Sequence, residues 1–432
     1  MHEAPAPVTR LAQLRRMTGT WFFVVAFIAR IPVAMDVVGV LTLVSVERGL
    51  AIAGLVSAAL GVASGFGGPV IGAIADRVGQ RPVLLAVAVL HTGLLLGLLA
   101  VVYGGAPLPV LLVLAILAGA TIPPSSPLAR ARWLALLAPD TRAGGRGVPV
   151  ALGYESMADE ISFVGGPILV GLLATAFGPA APLLVAAALT LVFVSGFGLH
   201  PTAAVVPPGA HEGAARVASR RELLRPGVVL ATGGMLAIGG FFGSTLASAT
   251  AVMEALDAGE ATGLLYGVMG ATSALAAITV GRLPRWFPVA LRWLVFAAGM
   301  TAVALVMPHV PSLVGVAVCF MIVGVAVGAG LVTIFTIGAD AAPAGRLATT
   351  MTLLSSGIII GQGISVAVVG GVADAAGVVA ALSAVAVPAG LGLVLAAVHL
   401  VLVRAKRSPA SGIADPVARA GGPDDFDATP QA

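Results

Sequence analysis

Gly72-Ala73-Ile74-Ala75-Asp76-Arg77-Val78-Gly79-Gln80-Arg81 is a charged turn between two long apolar runs. Each part answers a physical need. Gly72 is small enough for two helices to approach closely, Gly79 suits a tight reversal, and an acid among arginines needs water or a partner in surroundings that favour oil. Such a turn separates one membrane-crossing helix from the next, and the rest of the chain repeats the pattern.

Of the 432 residues, 59% are hydrophobic and 10% charged, and mean hydropathy is +1.06, far from the balance of a water-soluble domain. A helix that crosses a bilayer needs about 20 mostly apolar residues. Twelve such runs are expected, at 21–46, 52–75, 83–103, 109–130, 149–177, 180–199, 228–252, 262–281, 288–308, 312–338, 347–372 and 378–402. Met1–Gly19 is polar and lacks an apolar centre, so the run from Trp21 is expected to be an uncleaved first span. Cys319 is the single cysteine, which leaves no intrachain disulfide and no redox pair.

Short loops rich in Lys and Arg stay on the cytoplasmic side. With the N-terminus inside, 21 of the 23 basic residues fall on that side, among them Arg77, Arg81, Arg142, Arg146, Arg216, Arg282, Arg285, Arg346, Arg404 and Arg419. Arg48 falls outside and Arg30 lies within a span. External loops carry acids instead: Glu47, Glu254, Asp257, Glu260 and Asp374. Trp21, Trp133, Trp286 and Trp293 are expected as anchors at cytoplasmic helix ends. The net charge of +4 therefore reflects orientation in a membrane and not nucleic-acid binding.

With these spans in place, residues 72–81 resemble the loop signature of the major facilitator superfamily, G-x-L-A-D-R-x-G-R-[KR], with Ile74 for the leucine and Gln80 for the first basic residue after Gly79. The resemblance implies an all-α membrane protein with twelve transmembrane helices in two six-helix bundles, a transporter of the drug and metabolite efflux kind. It implies that Gly72, Asp76, Arg77, Gly79 and Arg81 form a gating loop, whose carboxylate meets a neighbouring helix N-terminus or an arginine in one transport state and leaves it in the other. The corresponding Gly281-Arg282-Leu283-Pro284-Arg285 lacks the acid, so the latch is asymmetric. Gly166-Pro167-Ile168-Leu169-Val170-Gly171 resembles the G-P-x-x-G-G element of antiporter branches, with Val170 replacing one glycine and Ser162 where an earlier glycine is usual, and it favours export. The family's usual arginine in the fourth span is absent, since Ala115 stands four residues before Gly119, so either Arg30 substitutes for it or the coupling differs.

The expected organisation is a cytoplasmic segment 1–20, a six-helix bundle 21–199, a cytoplasmic linker 200–227 rich in Pro and Arg, a second bundle 228–403 and a disordered tail 404–432. Gly171 to Gly178 and Gly370 to Gly377 share one spacing, an internal echo consistent with duplication. Glycine pairs Gly61/Gly65, Gly68/Gly72, Gly324/Gly328 and Gly357/Gly361 mark close helix packing.

Ionisable groups within spans are costly in lipid, about 2.5–3.5 kcal/mol at mid-bilayer, and usually line a cavity or pair. Arg30 and Asp36 lie six residues apart around Pro32, about 120° apart on an ideal helix. Two readings stay open: a structural charge pair between helices, or an arginine that tunes a carboxylate which loads and releases a proton. In the fifth span, helical spacing stacks Glu155, Asp159, Ser162 and Gly166 on one stripe, with Arg130 and Arg132 as expected counter-ions. Asp159 is the first choice for proton coupling, Asp36 and Glu160 the next, and Glu155 is expected at the interface. Thr121, Ser125 and Ser126 in the proline-broken fourth span, with His91 and Gln362, are candidate cavity residues, although His91 and Gln362 also suit helix–helix hydrogen bonds.

No phosphate-binding Gly-Lys-Ser/Thr loop, Cys/His metal spacing or nucleophile elbow is present, so neither an enzyme, a metal site nor a cofactor is expected. The favoured function is proton-coupled export of a small, rather apolar compound by a monomer in the lipid bilayer. Proton-coupled import and a non-transporting membrane sensor are the alternatives. Abundant Ala, Gly, Val and Arg with one lysine suits a GC-rich bacterial genome and hence the inner membrane, with both termini cytoplasmic. Cysteines placed at Arg77 and at Arg285 should react with a membrane-impermeant maleimide from the same face of the bilayer; labelling from opposite faces would overturn the topology.

Overall fold

A chain in hydrocarbon has no water to satisfy its peptide groups, so continuous helices are the economical solution. The structure is a computed structural model that describes residues 7–138, 147–206, 219–256, 262–284, 286–310 and 312–407, and every regular element among them is helical. The first half holds α1 (Pro7–Ile28), α2 (Ile31–Arg48), α3 (Leu50–Val78), α4 (Gln80–Tyr103), α5 (Leu108–Ala120), α6 (Ser125–Leu136), α7 (Gly147–Phe177), α8 (Ala181–Leu189) and α9 (Ser195–Leu199), the last two joined by a π turn, Thr190–Val194. The second half holds α10 (Pro226–Glu254), α11 (Thr262–Thr279), α12 (Val289–Val306), α13 (Leu313–Ala341), α14 (Leu347–Ala384) and α15 (Ala386–Arg407).

Ten stretches among the described residues are long and apolar enough to cross a membrane. The last of them, Leu347–Ala405, has 59 residues, roughly 90 Å of helix against a hydrocarbon core of about 30 Å. It folds back at Gly377, whose φ of 81° a residue with a side chain adopts only at a cost. Before this glycine α14 runs parallel to α10, with Gly239 against the Ile358 carbonyl and Gly243 against that of Gln362. After it the chain runs back, with Pro388 beside Gly240 and Leu395 beside Gly233. Gly178 makes the same kind of reversal at φ 90°, between α7 and α8, so the echoed spacing marks equivalent turns in the two halves. α11 supplies a further apolar helix of 18 residues that begins beside residues outside the described set.

The halves touch along two antiparallel seams. On one, Gly72, Gly68 and Gly65 of α3 meet Thr352, Ser356 and Ile360 of α14 in turn. On the other, Gly153 of α7 meets the Ala277 carbonyl of α11, and Gly281 lies against Pro149. Farther from the Asp76 turn the contacts stop: Gly54, Gly171, Gly267, Gly363 and Gly370 have nothing within 4 Å where a side chain would project. The contacts along these seams close the molecule at the Asp76 end.

Some expectations need correction. Trp21 and Trp286 are 57% and 80% exposed, as interface anchors should be, whereas Trp133 and Trp293 are 0% and 2% exposed and belong to the interior. Trp133 packs edge-on against Phe22, and Trp293 packs on His399. The first helix starts at Pro7, within the segment expected to precede it, and is broken at Gly19 (φ 77°). The last helix runs on to Arg407, past the expected start of the tail. The linker flanks are short 3-10 turns, Pro201–Val205 and Arg220–Leu224. Arg142, Arg146, Arg216, Asp257, Glu260, Arg285, Arg419 and the rest of the expected tail lie outside the described residues.

Packing makes a direct prediction. An added Cβ at Gly239 would lie 2.0 Å from the Ile358 carbonyl oxygen, whereas at Gly97 nothing lies within 4 Å. Gly239→Ala should lower thermal stability in detergent by the equivalent of about 1–3 kcal/mol, and Gly97→Ala should leave the melting midpoint level or higher.

Candidate functional site

Two spans break near the middle of the molecule, and both breaks face the space between the halves. In the first, Pro32 removes a backbone donor and crowds the preceding turn, so α1 ends at Ile28 and α2 restarts at Ile31, leaving Arg30 at the joint. In the second, Pro123 and Pro124 end α5 and let α6 begin at Ser125. Around these breaks lies a cavity. Its first-half wall includes Arg30, Ser64, Ser125, Ser126, Asp159 and Ser162; Phe335 of α13 and Thr352, Ser355 and Ser356 of α14 close the other side.

The charges in this wall form one network. Arg30 donates from Nε to the Ala26 carbonyl at 3.0 Å, from Nη1 to Asp159 Oδ1 at 3.0 Å, and from Nη2 to Glu155 Oε2 at 2.7 Å. Trp133 Nε1 donates to the other Glu155 oxygen at 2.8 Å. Arg130 Nη2 donates to Asp159 Oδ2 at 2.6 Å, Ser126 Oγ donates to the same oxygen at 2.8 Å, and Arg130 Nη1 meets Ser126 Oγ. Two guanidiniums thus balance two carboxylates in a buried setting, where removing one partner strands the other at a cost of about 3–5 kcal/mol. Arg130 also lies over the Phe335 ring at 3.9 Å, so the network touches the second half.

This arrangement differs from the expected one in two respects. Glu155 is wholly buried and is not an interface residue, because Arg30 and Trp133 hold both of its oxygens. Arg132 is no counter-ion here; it donates to Gln80 Oε1, the Phe197 carbonyl and Thr202 Oγ1, and stacks on Phe197. Gln80, the departure from the loop signature, thereby ties α4 to α6. Arg30 and Asp36 do not pair. Asp36 is wholly buried and meets His91 Nε2 at 3.1 Å. His91 Nδ1 faces the Ala118 carbonyl at 3.0 Å, which only accepts, so that nitrogen donates the hydrogen of this bond.

Glu160 points away from the network, across to α11, where Ser273 Oγ donates to its Oε1 at 2.8 Å. Of the cavity candidates, Ser125 and Ser126 stand in the wall, and Ser125 Oγ is buried with no hydrogen-bond partner. Thr121 bonds to carbonyls of its own helix, His91 is taken by Asp36, and Gln362 lies on α14 outside the wall. Gly166 packs on Ala34, where a Cβ would come to 2.6 Å, but Gly171 has no neighbour, so one glycine of that element is a contact point and the other is not. Pro167 stands inside α7 next to the Gly166 contact. The hydroxyls of α14 are not among the sequence candidates; the run Thr349, Thr350, Thr352, Ser355 and Ser356 in an otherwise aliphatic helix is the signal that points to them.

Asp76 caps α14. Its Oδ1 accepts from the Ala348 N–H at 2.9 Å, and its Oδ2 accepts from the Thr349 N–H at 2.8 Å and from Thr349 Oγ1 at 2.5 Å. The first N–H groups of a helix lack partners within it, and a carboxylate there also meets the positive end of its dipole. Gly72 permits the approach, since a Cβ would lie 2.4 Å from Thr352 Oγ1. Gly79 supplies the turn at φ 92°. Arg77 and Arg81 are exposed and stand outside this contact, so the described latch is the carboxylate alone.

A family model described as Major Facilitator Superfamily matches residues 22–354. Among solved structures, the human organic anion transporter MFSD10 (TETRAN) is 16% identical with a TM-score of 0.65, covering 89% of this chain and 99% of that one. A bacterial homologue of the iron transporter ferroportin, in an outward-facing state, is 17% identical with a TM-score of 0.68 over the same shares of 89% and 99%. A structure of the E. coli fucose:proton symporter FucP is 14% identical with a TM-score of 0.61, covering 88% of this chain and 98% of that one. At these identities the likeness is one of fold. No curated protein matches the chain.

Asp76→Ala should remove about 0.5–2 kcal/mol of capping and shift the molecule toward opening at this end. Spin labels at Val78 and Ala344, on a Cys319→Ala background, should report a longer mean separation in the variant; an unchanged distribution would mean that the cap does not hold the halves together.

Proposed function

The chain belongs to the Major Facilitator Superfamily, and on that premise we propose that it is a proton-coupled secondary transporter that exports a small, rather apolar compound by alternating access. The reading rests above all on the Arg30–Glu155–Asp159–Arg130 network, which stands in the wall of a cavity between the halves and reaches the second half through Phe335. A merely structural bundle has little use for four buried charges beside a cavity. With the Arg-rich loops on the cytoplasmic side, the closed Asp76 end faces the cytoplasm and the cavity faces out. The chain then sits as a monomer in a bacterial inner membrane, with both termini inside.

Asp159 suits the task of sensing cavity occupancy. It is 19% exposed, and its oxygens already hold Arg30, Arg130 and Ser126. Any ligand or proton that alters this carboxylate changes the grip of Arg130 and, through Phe335, the seam with the second half. The wall is neutral overall, with hydroxyls spread among aliphatic and proline surfaces, which favours a compound with few polar groups over a strongly charged one. The expected antiporter element contributes Gly166, which lets α7 lie directly on α2 beside the cavity.

In vesicles that hold the purified chain under an imposed pH gradient, a compound first identified by thermal shift should move opposite to protons. Movement in the same direction would select import, and binding without flux would select the sensor. Asp159→Asn should cut transport roughly tenfold or more, the scale expected when a buried charge loses its partner; unaltered flux would remove Asp159 from the mechanism.

A further inference from the structure

Glu160 and Asp159 are neighbours in sequence, yet the fold gives them opposite surroundings. Asp159 has two guanidiniums within 3.0 Å. Glu160 is 8% exposed, and its hydrogen-bond partner is the Ser273 hydroxyl, on a helix of the other half. Among the described residues no cation lies within 4 Å of it.

The surrounding elements explain why. α11 carries no Asp, Glu, Lys, Arg or His, and its one titratable group is Tyr266, which faces Glu160. Arg130 of α6 is turned to Asp159, and Arg132 to Gln80. In α2, Asp36 is held by His91 and Arg48 by carbonyls at the end of α4, while Arg30 at its start serves Glu155 and Asp159. Arg15, Arg16 and Arg282 are exposed, and Cys319 and Asp340 are the titratable groups of α13. The one charge that acts on Glu160 from its own helix is Asp159, of like sign.

We propose that Glu160 is the proton carrier of the transport cycle, neutral while the seam between α7 and α11 is closed and ionised when that seam opens. This rests on the reading of the chain as a proton-coupled carrier. Burial without a cation favours the neutral acid. When the halves part at the Asp76 end, Ser273 withdraws, water reaches the carboxyl, and its O–H proton passes to water and leaves a solvated carboxylate. Reloading takes one proton from the opposite side. Phe163, one helical turn farther along the same face of α7, lines the cavity, so Glu160 stands at the cavity's edge, where a proton arriving from the open end reaches it. Asp159, held by Arg30 and Arg130, acts as a positioning residue.

The spin-label pair at Val78 and Ala344 of the full chain, in lipid nanodiscs, tests this without a substrate. Raising the pH from about 5.5 to about 8.5, which brackets the range in which a perturbed carboxyl titrates, should move the wild type from the short to the long separation. Glu160→Gln should hold the short separation across the range, with less than about a tenth of the wild-type change. Asp159→Asn should displace the curve but keep its pH dependence. If Glu160→Gln responds as the wild type does while Asp159→Asn is flat, the carrier is Asp159 and the proposal fails, with proton coupling intact. If the wild type itself shows no pH response, proton coupling and the proposal fail together.

Discussion

A charge in hydrocarbon has to be answered by another charge or by a fixed dipole, and the polar architecture of this chain follows from that constraint. Arg30 and Arg130 answer Glu155 and Asp159, His91 answers Asp36, and the free N–H groups that open α14 answer Asp76. Arg130 joins α6 to the next helix, α7, and the other pairings join helices that are not consecutive in the chain. The network around Arg30 binds the first, fourth and fifth spans into one wall, and the cap on α14 fastens that wall to the other half. Most of these contacts are internal to a half. Those that bridge the halves are few and soft: a cap, a serine hydroxyl on Glu160, and an arginine over a phenyl ring.

That division suits a molecule with two arrangements. Bonds within a half are short and charge-assisted, whereas the seams between halves depend on glycines that bring backbones together without locking them. Gly72 and Gly153 let α3 and α7 lie almost against α14 and α11. At Gly72 and Gly153 the close neighbours are a threonine side chain and a backbone carbonyl, while the apolar core continues from one half into the other. The asymmetry between the two halves has the same cause. The first half supplies the acid and the second the helix end that receives it, because the equivalent turn after α11 has no carboxylate.

The spans and the reversals between them were legible in the sequence because bilayer thickness sets helix length and because turns need residues of special geometry. The Asp76 turn, the succession of apolar segments and the matched glycines at 178 and 377 are signals of that local kind. So are the charges themselves: Arg30, Asp36, Glu155, Asp159 and Glu160 stand out in any reading of so apolar a chain. What escaped was their partnering. The offset of about 120° between Arg30 and Asp36 already set them apart, but nothing in the sequence showed that Arg30 meets α7 and Asp36 meets His91. Trp133 and Trp293 looked like surface anchors because tryptophan prefers interfaces, but a tryptophan can also fill a core when its N–H finds an acceptor, as that of Trp133 does on Glu155.

Local chemistry along the chain, summed over windows of a few turns, is enough to specify which segments are helices, where they leave the membrane and which residues are too polar for their surroundings. It says nothing of which helix lies beside which, since that depends on how a dozen rods of similar hydrophobicity pack together. Packing separated two adjacent carboxylates, turning one toward a pair of arginines and the other toward a bare serine. It also chose Ser125 and Ser126 over Thr121 and Gln362 for the cavity wall. A hundred-degree step per residue sends neighbours in sequence to different partners, and the identity of those partners exists only in three dimensions.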